Sequence, residues 1–291
     1  MRLNGRRQSS NVDDRRGMSG GAKAGIGGLG AIIIVVIMAL LGGGDLGDVV
    51  SNVLSQQQQL QGQVTEQQKE FTQQEQEAAV FSKQVLASLE DVWTEQFKAH
   101  GMTYSYPTMV LYTGTVQTAC GTGSAQMGPF YCSGDQKLYL DLSFFSDMSR
   151  QFGISVNNKS SFAYAYVIAH EVGHHVEYLR GILTKAHAKM ATVDKAEANR
   201  ISVKLELLAD YYAGCWAHYE NDKYSSLEDG DLKEAIDAAK KIGDDWLQTK
   251  AQGYACPETF THGTSKQRMY WLKKGFDTGD WNTTTFADGE P

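Results

Sequence analysis

Residues 170–174 read His-Glu-Val-Gly-His, which is the pattern HExxH. Because an α-helix turns once in about 3.6 residues, His170 and His174 project from one face and their imidazoles can bind one metal ion. Glu171 lies one position further round, beside the open side of that ion, where a general base is needed. The spacing therefore predicts a helix that carries a catalytic zinc site.

The residues on either side of the motif are typical of a helix. Ser160 and Ser161 are suitable N-cap residues, and Gly181 suits the left-handed position that follows a helix end. The alternative interpretation is an ordinary amphipathic helix without a metal. A third ligand elsewhere in the chain is what separates the two interpretations.

A carboxylate that could supply this third ligand lies downstream, where Glu206 and Asp210 form the pattern ExxxD. The two residues are one helical turn apart and share a face. Glu206 would complete a set of two His and one Glu, which leaves the fourth zinc position for water and lowers the pKa of that water to about 7. Asp210 could accept the outer N–H of a ligand imidazole. The alternative for this acidic pair is a solvent-exposed helix face.

Four stretches of the sequence together resemble a known family, the bacterial membrane-anchored putative neutral zinc metallopeptidases. The stretches are RRQSSNVDDRRG at 6–17, HEVGHHVE at 170–177, LELLADYYAGCWAH at 205–218, and FTHGTS at 260–265 followed by Gln267 and Arg268. The resemblance therefore extends over most of the chain.

This resemblance implies a gluzincin-like site and a zincin-like fold. The implied roles are His170, His174 and Glu206 as Zn²⁺ ligands, Glu171 as base and Asp210 behind a ligand imidazole. Two features depart from the family pattern: Glu177 stands where the family has Gln, and the cysteine placement near Tyr211 and Cys215 differs. Neither departure involves a proposed ligand.

The chemistry of such a site predicts peptide hydrolysis. Glu171 would take a proton from the zinc-bound water as that water attacks a peptide carbonyl, and would pass the proton to the leaving amine. His262, in a Gly/Thr/Ser-containing loop, is the candidate donor to the developing oxyanion. A structural histidine at the start of the next helix is the equal alternative for His262, and Arg268 or one of the tyrosines could be the donor instead.

The N-terminal sequence predicts attachment to a membrane. Basic residues precede an uncharged run from Ala24 to Gly44, which suits a single span of about 20 residues. Positive charge before the span predicts a cytoplasmic N-terminus and a peptidase domain outside the bacterial inner membrane, in the periplasm. A cleavable signal peptide is the main alternative, and a buried core helix is a weaker one.

Cysteine usage agrees with an oxidising compartment. The chain has four cysteines, an even number that suits two disulfides. We expect Cys120 to pair with Cys132 and Cys215 with Cys256, which is one of three possible pairings. Free structural thiols are the alternative.

We predict an α+β protein with a mainly helical, zincin-like domain. Extended patterns at 108–112 and 137–142 predict a small antiparallel sheet before the HExxH helix, and by analogy a sheet edge could pair with an extended substrate. The predicted parts are a basic cytoplasmic N-terminus (1–23), a transmembrane helix (24–44), a Gln-rich linker (45–77) and a zinc metallopeptidase domain (78–291).

The overall charge bears on the class of partner. A net charge of −7 and a pI near 5.5 argue against nucleic acid and leave a protein or peptide substrate and the membrane as partners. No pattern indicates an oligomeric state. Two functions remain: a membrane-anchored zinc peptidase, and a catalytically silent, membrane-tethered scaffold or binding protein stabilised by zinc. The intact Glu171 favours the enzyme, because a structural zinc needs no base.

Overall fold

The computed structural model describes residues 1–17, 71–152 and 161–282. The predicted transmembrane segment 24–44 lies outside the described residues, as does most of the predicted linker. None of the helices within those ranges combines the length and the apolar character that a membrane crossing needs.

Helices dominate the described residues, and this confirms the predicted α+β class. The α-helices are α1 (Gln73–Ala99), α2 (Ser143–Phe152), α3 (Phe162–Leu179), α4 (Ile182–Met190), α5 (Lys195–Tyr224), α6 (Asp231–Lys241), α7 (Asp244–Gln252) and α8 (Ser265–Thr278). The strands are β1 (Val12–Asp14), β2 (Thr108–Tyr112), β3 (Thr115–Thr118), β4 (Gly121–Ser124), β5 (Phe130–Cys132) and β6 (Lys137–Asp141). Short 3₁₀ turns lie at Ala125–Met127 and Pro257–Thr259.

The main sheet has the strand order β1-β2-β6-β5. The strands β1, β2 and β6 are mutually parallel, and β5 runs antiparallel to β6 at one edge. The predicted antiparallel sheet is therefore wrong for two of the three strand pairs, including the pair of the two predicted strands, β2 and β6. The physical reason is the length of the connections: α1 lies between β1 and β2, and β3 to β5 lie between β2 and β6, which gives the chain room to return in the same direction. The hairpin β3–β4 is a separate antiparallel pair.

The HExxH helix α3 begins and ends where the sequence predicts. The Ser161 side chain accepts a hydrogen bond from the Tyr164 amide, so Ser161 is the N-cap. Gly181, just beyond the C-terminal end, has a φ of 70°. α3 is buried along almost its whole length and packs against α1, α5, α6 and β5. It is therefore the central helix of the domain.

A very close approach of α3 and α5 occurs at Gly173, inside the HExxH motif. A Cβ atom on Gly173 would lie 2.8 Å from the backbone oxygen of Ala209 and 3.0 Å from its Cα atom. The two helix backbones can touch here only because Gly173 has no side chain. This contact brings the turn that carries Glu206 next to the two histidines of the motif. A similar contact joins α5 to α8, where Gly214 and Gly275 each face the backbone of the opposite helix.

Residues 1–17, here called the N-terminal segment, belong to the same folded unit as the helices. Its strand β1 pairs with β2, and Met1 and Leu3 are buried in the main core. Arg6 pairs with Glu220 and Arg7 with Glu90. Residues 1–23 are predicted to lie apart from the domain, because clustered arginines before an apolar run are typical of a cytoplasmic flank. Here two of those arginines instead face buried carboxylates.

The first helix also begins earlier than the predicted domain boundary. α1 starts at Gln73, inside the Gln-rich stretch, because Thr72 and Glu75 form a reciprocal capping box. The predicted boundary at residue 78 falls within the first turns of this helix.

The structure contains one of the two expected disulfides. Cys120 and Cys132 are bonded, and this confirms the first expected pair. The second expected pair is wrong, because Cys215 and Cys256 are both free. Cys215 is fully buried in α5, whereas Cys256 lies half-buried in the loop after α7, where its backbone amide donates to Gln248.

We expect Gly173→Ala to weaken both the fold and zinc binding. The added methyl meets backbone atoms that cannot rotate away, so α3 and α5 must separate, at a cost of about 1–3 kcal/mol in unfolding free energy. Glu206 then moves away from the imidazoles, and zinc affinity should fall roughly 10- to 100-fold. Thermal melts and competition with a zinc chelator measure the two effects. Ala188→Ser, on the exposed face of α4, is the control, and zinc affinity equal to wild type in Gly173→Ala would contradict the packing argument.

Candidate metal centre

Three side chains from two helices converge on one point. α3 supplies His170 and His174, and α5 supplies Glu206. The Nε2 atom of His170 lies 3.1 Å from Oε2 of Glu206, and Nε2 of His174 lies 3.5 Å from Oε1 of the same carboxylate. One ligand atom from each residue lies within 4.8 Å of the others. The structure thus brings together all three metal ligands that the sequence predicts, here called the ligand set.

The spacing of these atoms fits a zinc ion. Ligand atoms about 2.0 Å from a tetrahedral zinc ion are roughly 3.3 Å from one another. The 3.1 Å and 3.5 Å separations, which run to different oxygens of Glu206, lie near that value. The donor atoms, two imidazole nitrogens and one carboxylate, are also the types that zinc prefers in catalytic sites.

Each ligand imidazole is held from behind by a carboxylate. The Nδ1–H of His170 donates to Asp210 at 2.8 Å, which places Asp210 in its predicted position. The Nδ1–H of His174 donates to Glu177 at 3.0 Å. These bonds set the tautomer that leaves both Nε2 atoms for the metal. Sequence reasoning missed the role of Glu177, although its position three residues after His174 places it on the same helical face.

Asp210 is itself fixed by a buried cation. Arg268 on α8 donates from Nε to Asp210 at 2.8 Å and from its terminal nitrogen at 3.0 Å. The Tyr166 hydroxyl donates to the same carboxylate at 2.6 Å. Burial alone would raise the pKa of Asp210, but Arg268 and His170 lower it to about 2. Asp210 is therefore ionised, and Arg268 is committed to it rather than free to bind an oxyanion.

The charges in the ligand set suit metal binding. Burial alone would raise the pKa of Glu206, but His262 and His174 lower it well below its ordinary range. Burial would lower the pKa of His170, yet Asp210 raises it to about 9. The pKa of His174 is raised well above its ordinary value against burial, by Glu177 and Glu206. An ionised carboxylate thus faces two imidazoles that hold protons until a metal ion replaces them.

Glu171 lies beside the ligand set without hydrogen-bonding to its members. Its side chain is almost completely buried, with 8 % of the residue exposed. Burial raises the pKa of its carboxyl, and the neighbouring His170 and His174 partly offset that rise. A carboxylate with a raised pKa is a stronger base, which is the property that the predicted role requires.

His262 lies close enough to the ligand set to act on its charge, because it is the leading group that lowers the pKa of Glu206. Asp244, the first residue of α7, holds the loop that carries His262. Its carboxylate accepts the backbone amides of Thr261, His262 and Gly263 at 2.8, 2.6 and 3.0 Å. The Nδ1–H of His262 also faces this carboxylate at 3.3 Å. Asp244 and the Thr261 hydroxyl, which lies 3.0 Å from the same Nδ1 atom, therefore fix the ring.

His175, the histidine next to the motif, is structural. It is fully buried, its Nε2–H donates to the Ser105 carbonyl at 2.7 Å, and its Nδ1 lies 2.9 Å from the Tyr131 hydroxyl. Burial lowers the pKa of His175 to about 4, so the ring is neutral. It joins α3 to the β5 edge of the sheet and does not belong to the ligand set.

Comparison with known proteins connects this geometry to a family. The family described as "Putative neutral zinc metallopeptidase" matches residues 1–286. The chain belongs to this family. Zinc is therefore the metal for which the ligand set is built.

The relatives align with much of the chain, and their names assign no activity. The chain is 44% identical over 289 residues to the uncharacterized protein YpfJ of Escherichia coli K12, covering 96% of each chain. It is 42% identical over 188 residues to the uncharacterized proteins Rv2575 of Mycobacterium tuberculosis H37Rv and Mb2605 of Mycobacterium bovis, covering 62% of this chain and 61% of each relative. The comparison with solved structures gave no significant match.

We expect zinc binding at pH 7 to release about two protons, because both ligand imidazoles are protonated in the metal-free protein and neutral on the metal. Since the metal-free form binds more protons, apparent zinc affinity should rise with pH, and for His170 this rise should end near pH 9. Calorimetric titration in buffers of different ionisation enthalpy counts the protons. Asp210→Asn keeps all three ligands but removes the group that raises the pKa of His170, so it should release fewer protons. Zinc binding without proton release would contradict the raised pKa values.

Proposed function

We propose that this chain is a zinc-dependent peptidase that hydrolyses peptide bonds of proteins or peptides in the cell envelope. The observation that carries the proposal is the convergence of His170, His174 and Glu206, with Glu171 beside them. A purely structural zinc site has no use for a buried base at its open side. The family membership supports the same reaction class.

Different residues of the chain have different roles in the proposed hydrolysis. Bound zinc supplies Lewis acidity: it polarises the peptide carbonyl and lowers the pKa of water. Glu171 takes a proton from the attacking water and returns it to the leaving amine, for which its raised pKa is suited. Asp210 and Glu177 keep the ligand imidazoles in the required tautomer and orientation.

His262 is the residue that we place opposite the developing oxyanion. Burial lowers its pKa, but Glu206 and Asp244 raise it above the ordinary value, which favours the protonated, donating form. The bond to Asp244 fixes its ring in the manner of a preorganised donor. The alternative donor Arg268 is occupied by Asp210, and this favours His262.

An extended substrate needs a free strand edge, and β5 offers one next to the HExxH helix. β5 is the end strand of the sheet, and Tyr131 within it contacts His175 of α3. A peptide that pairs with β5 would lie beside α3 through main-chain hydrogen bonds. The disulfide to Cys132 ties this strand to the β3–β4 region and supports its role as a fixed edge.

The same disulfide supports a location outside the cytoplasm. Disulfides persist in oxidising compartments and are rare in the cytosol of mesophilic bacteria. Attachment to the inner membrane rests on the apolar run 24–44 of the sequence.

We expect Glu171→Gln to bind zinc stoichiometrically but to lose cleavage by roughly 10²- to 10⁴-fold, the usual contribution of a general base. The full-length chain is used, because the N-terminal segment is part of the fold. Metal content and cleavage of a denatured labelled protein and of a mixed peptide library are measured in parallel. Glu197→Gln, on the exposed side of α5, should match wild type. Zinc without turnover in every variant would favour the scaffold function, and absence of zinc would refute the ligand set.

We expect His262→Ala to lower kcat by roughly 10²- to 10³-fold with zinc content unchanged, as for removal of one oxyanion donor. Steady-state kinetics and metal analysis on the same preparation measure both quantities. His100→Ala, at the exposed C-terminal end of α1, is the matched histidine control. Unaltered kcat would remove His262 from the mechanism.

A further inference from the structure

The N-terminal segment is bound to the domain as an integral strand. β1 lies parallel to β2 with Val12 opposite Met109 and Asp14 opposite Leu111. The Met109 amide donates to the Asn11 carbonyl at 2.9 Å, and the Arg15 amide donates to the Leu111 carbonyl at 2.8 Å. Removing the segment would therefore expose a strand edge in the middle of the folded protein.

Two buried carboxylates of the helices depend on this segment for their partners. Glu90 on α1 is 1 % exposed, and its hydrogen-bond partners are Arg7 at 2.9 Å, Ser9 at 2.5 Å and Asn11 at 2.7 Å. All three belong to the N-terminal segment.

Glu220 on α5 follows the same pattern. It is fully buried, pairs with Arg6 and accepts a hydrogen bond from Ser88 at 2.6 Å. Buried carboxylates without counter-charges are strongly destabilising. The folded domain therefore requires the arginines of the segment.

The chain leaves the domain and returns to it at one place. The guanidinium of Arg16 lies 4.2 Å from the centre of the Phe71 ring, and a Cβ atom on Gly17 would lie 3.5 Å from the same ring. Arg16 also donates to the Glu75 carbonyl at 3.1 Å. The two ends of the sequence stretch 18–70 are thus adjacent on one surface.

From these contacts we propose that residues 1–17 and the metal-binding domain lie on the same side of the membrane. A stretch whose two ends are on the same side crosses a membrane an even number of times. Two helical crossings need about 40 apolar residues, and the apolar run 24–44 supplies enough for about one. A single crossing by this run is therefore incompatible with the docking of residues 1–17 on the domain.

The Cys120–Cys132 disulfide identifies the shared compartment as the oxidising one. The clustered arginines then do not mark a cytoplasmic flank. Their positive charge is used within the fold, where Arg6 and Arg7 neutralise Glu220 and Glu90. This inference rests on the proposed membrane attachment but not on peptidase activity, so the two can fail separately.

Single-cysteine labelling of the full chain in bacterial spheroplasts tests the proposal. Gln8→Cys and Lys189→Cys place reporters at exposed positions of the N-terminal segment and of α4. Both are made in a Cys256→Ser background without reductant, so that the disulfide stays intact. A membrane-impermeant maleimide is applied before and after detergent lysis. We expect both reporters to be labelled before lysis, whereas labelling of Gln8→Cys only after lysis, with Lys189→Cys labelled before it, would overturn the proposal.

A second measurement tests docking of the segment in the membrane-bound protein. Val12→Cys with Met109→Cys places two thiols at paired positions of β1 and β2. Oxidation of intact spheroplasts should link the two thiols. When the chain is then cleaved between the two positions, the disulfide holds the fragments together, and this changes their mobility in a gel. Val12→Cys with Lys189→Cys is the control pair and should not link. Failure of the first pair to link, in protein that retains the wild-type melting temperature, would equally reject the proposal.

Discussion

The contact between Gly173 and Ala209 is the constraint on which the site depends. The two histidines of α3 do not form the metal site without a third ligand. That ligand, Glu206, lies on α5, one turn before Ala209. The absence of a side chain at Gly173 lets the two backbones approach to a distance that a Cβ atom would forbid. α5 makes a second close backbone contact of this kind, at Gly214 with α8. This contact places Arg268 next to Asp210. Close helix packing thus determines the distances within the site.

The second organising feature is that three carboxylates buried around the site, Asp210, Glu177 and Asp244, each have a charged partner. Asp210 has Arg268 and His170, Glu177 has His174, and Asp244 has His262 and its loop. Such groups are costly to bury alone, so each pair stabilises the fold only while both members are in place. The same hydrogen bonds orient the groups that would touch metal and substrate. Stability and preorganisation of the site therefore come from the same contacts.

The N-terminal segment extends this principle away from the site. Glu90 and Glu220 lie inside the helical layer, and the cations that neutralise them come from the first residues of the chain. Because β1 also completes the parallel part of the sheet, the folded domain joins parts of the sequence that a stretch of more than 50 residues separates. A domain boundary drawn after that stretch would leave two buried carboxylates without cations.

Local geometry explains what the sequence alone determined. The HExxH and ExxxD spacings, the cap at Ser161 and the turn at Gly181 each depend on neighbours within a few residues, so the ligand set, Asp210 and the limits of α3 were predictable. Glu177 was accessible to the same reasoning and was missed. Tertiary packing decided what depends on distant partners: the parallel sheet, the pairing of Arg268 with Asp210, the free Cys215 and Cys256, and the docking of residues 1–17. A helix turn fixes which residues share a face, but only the packing of whole elements fixes which faces meet.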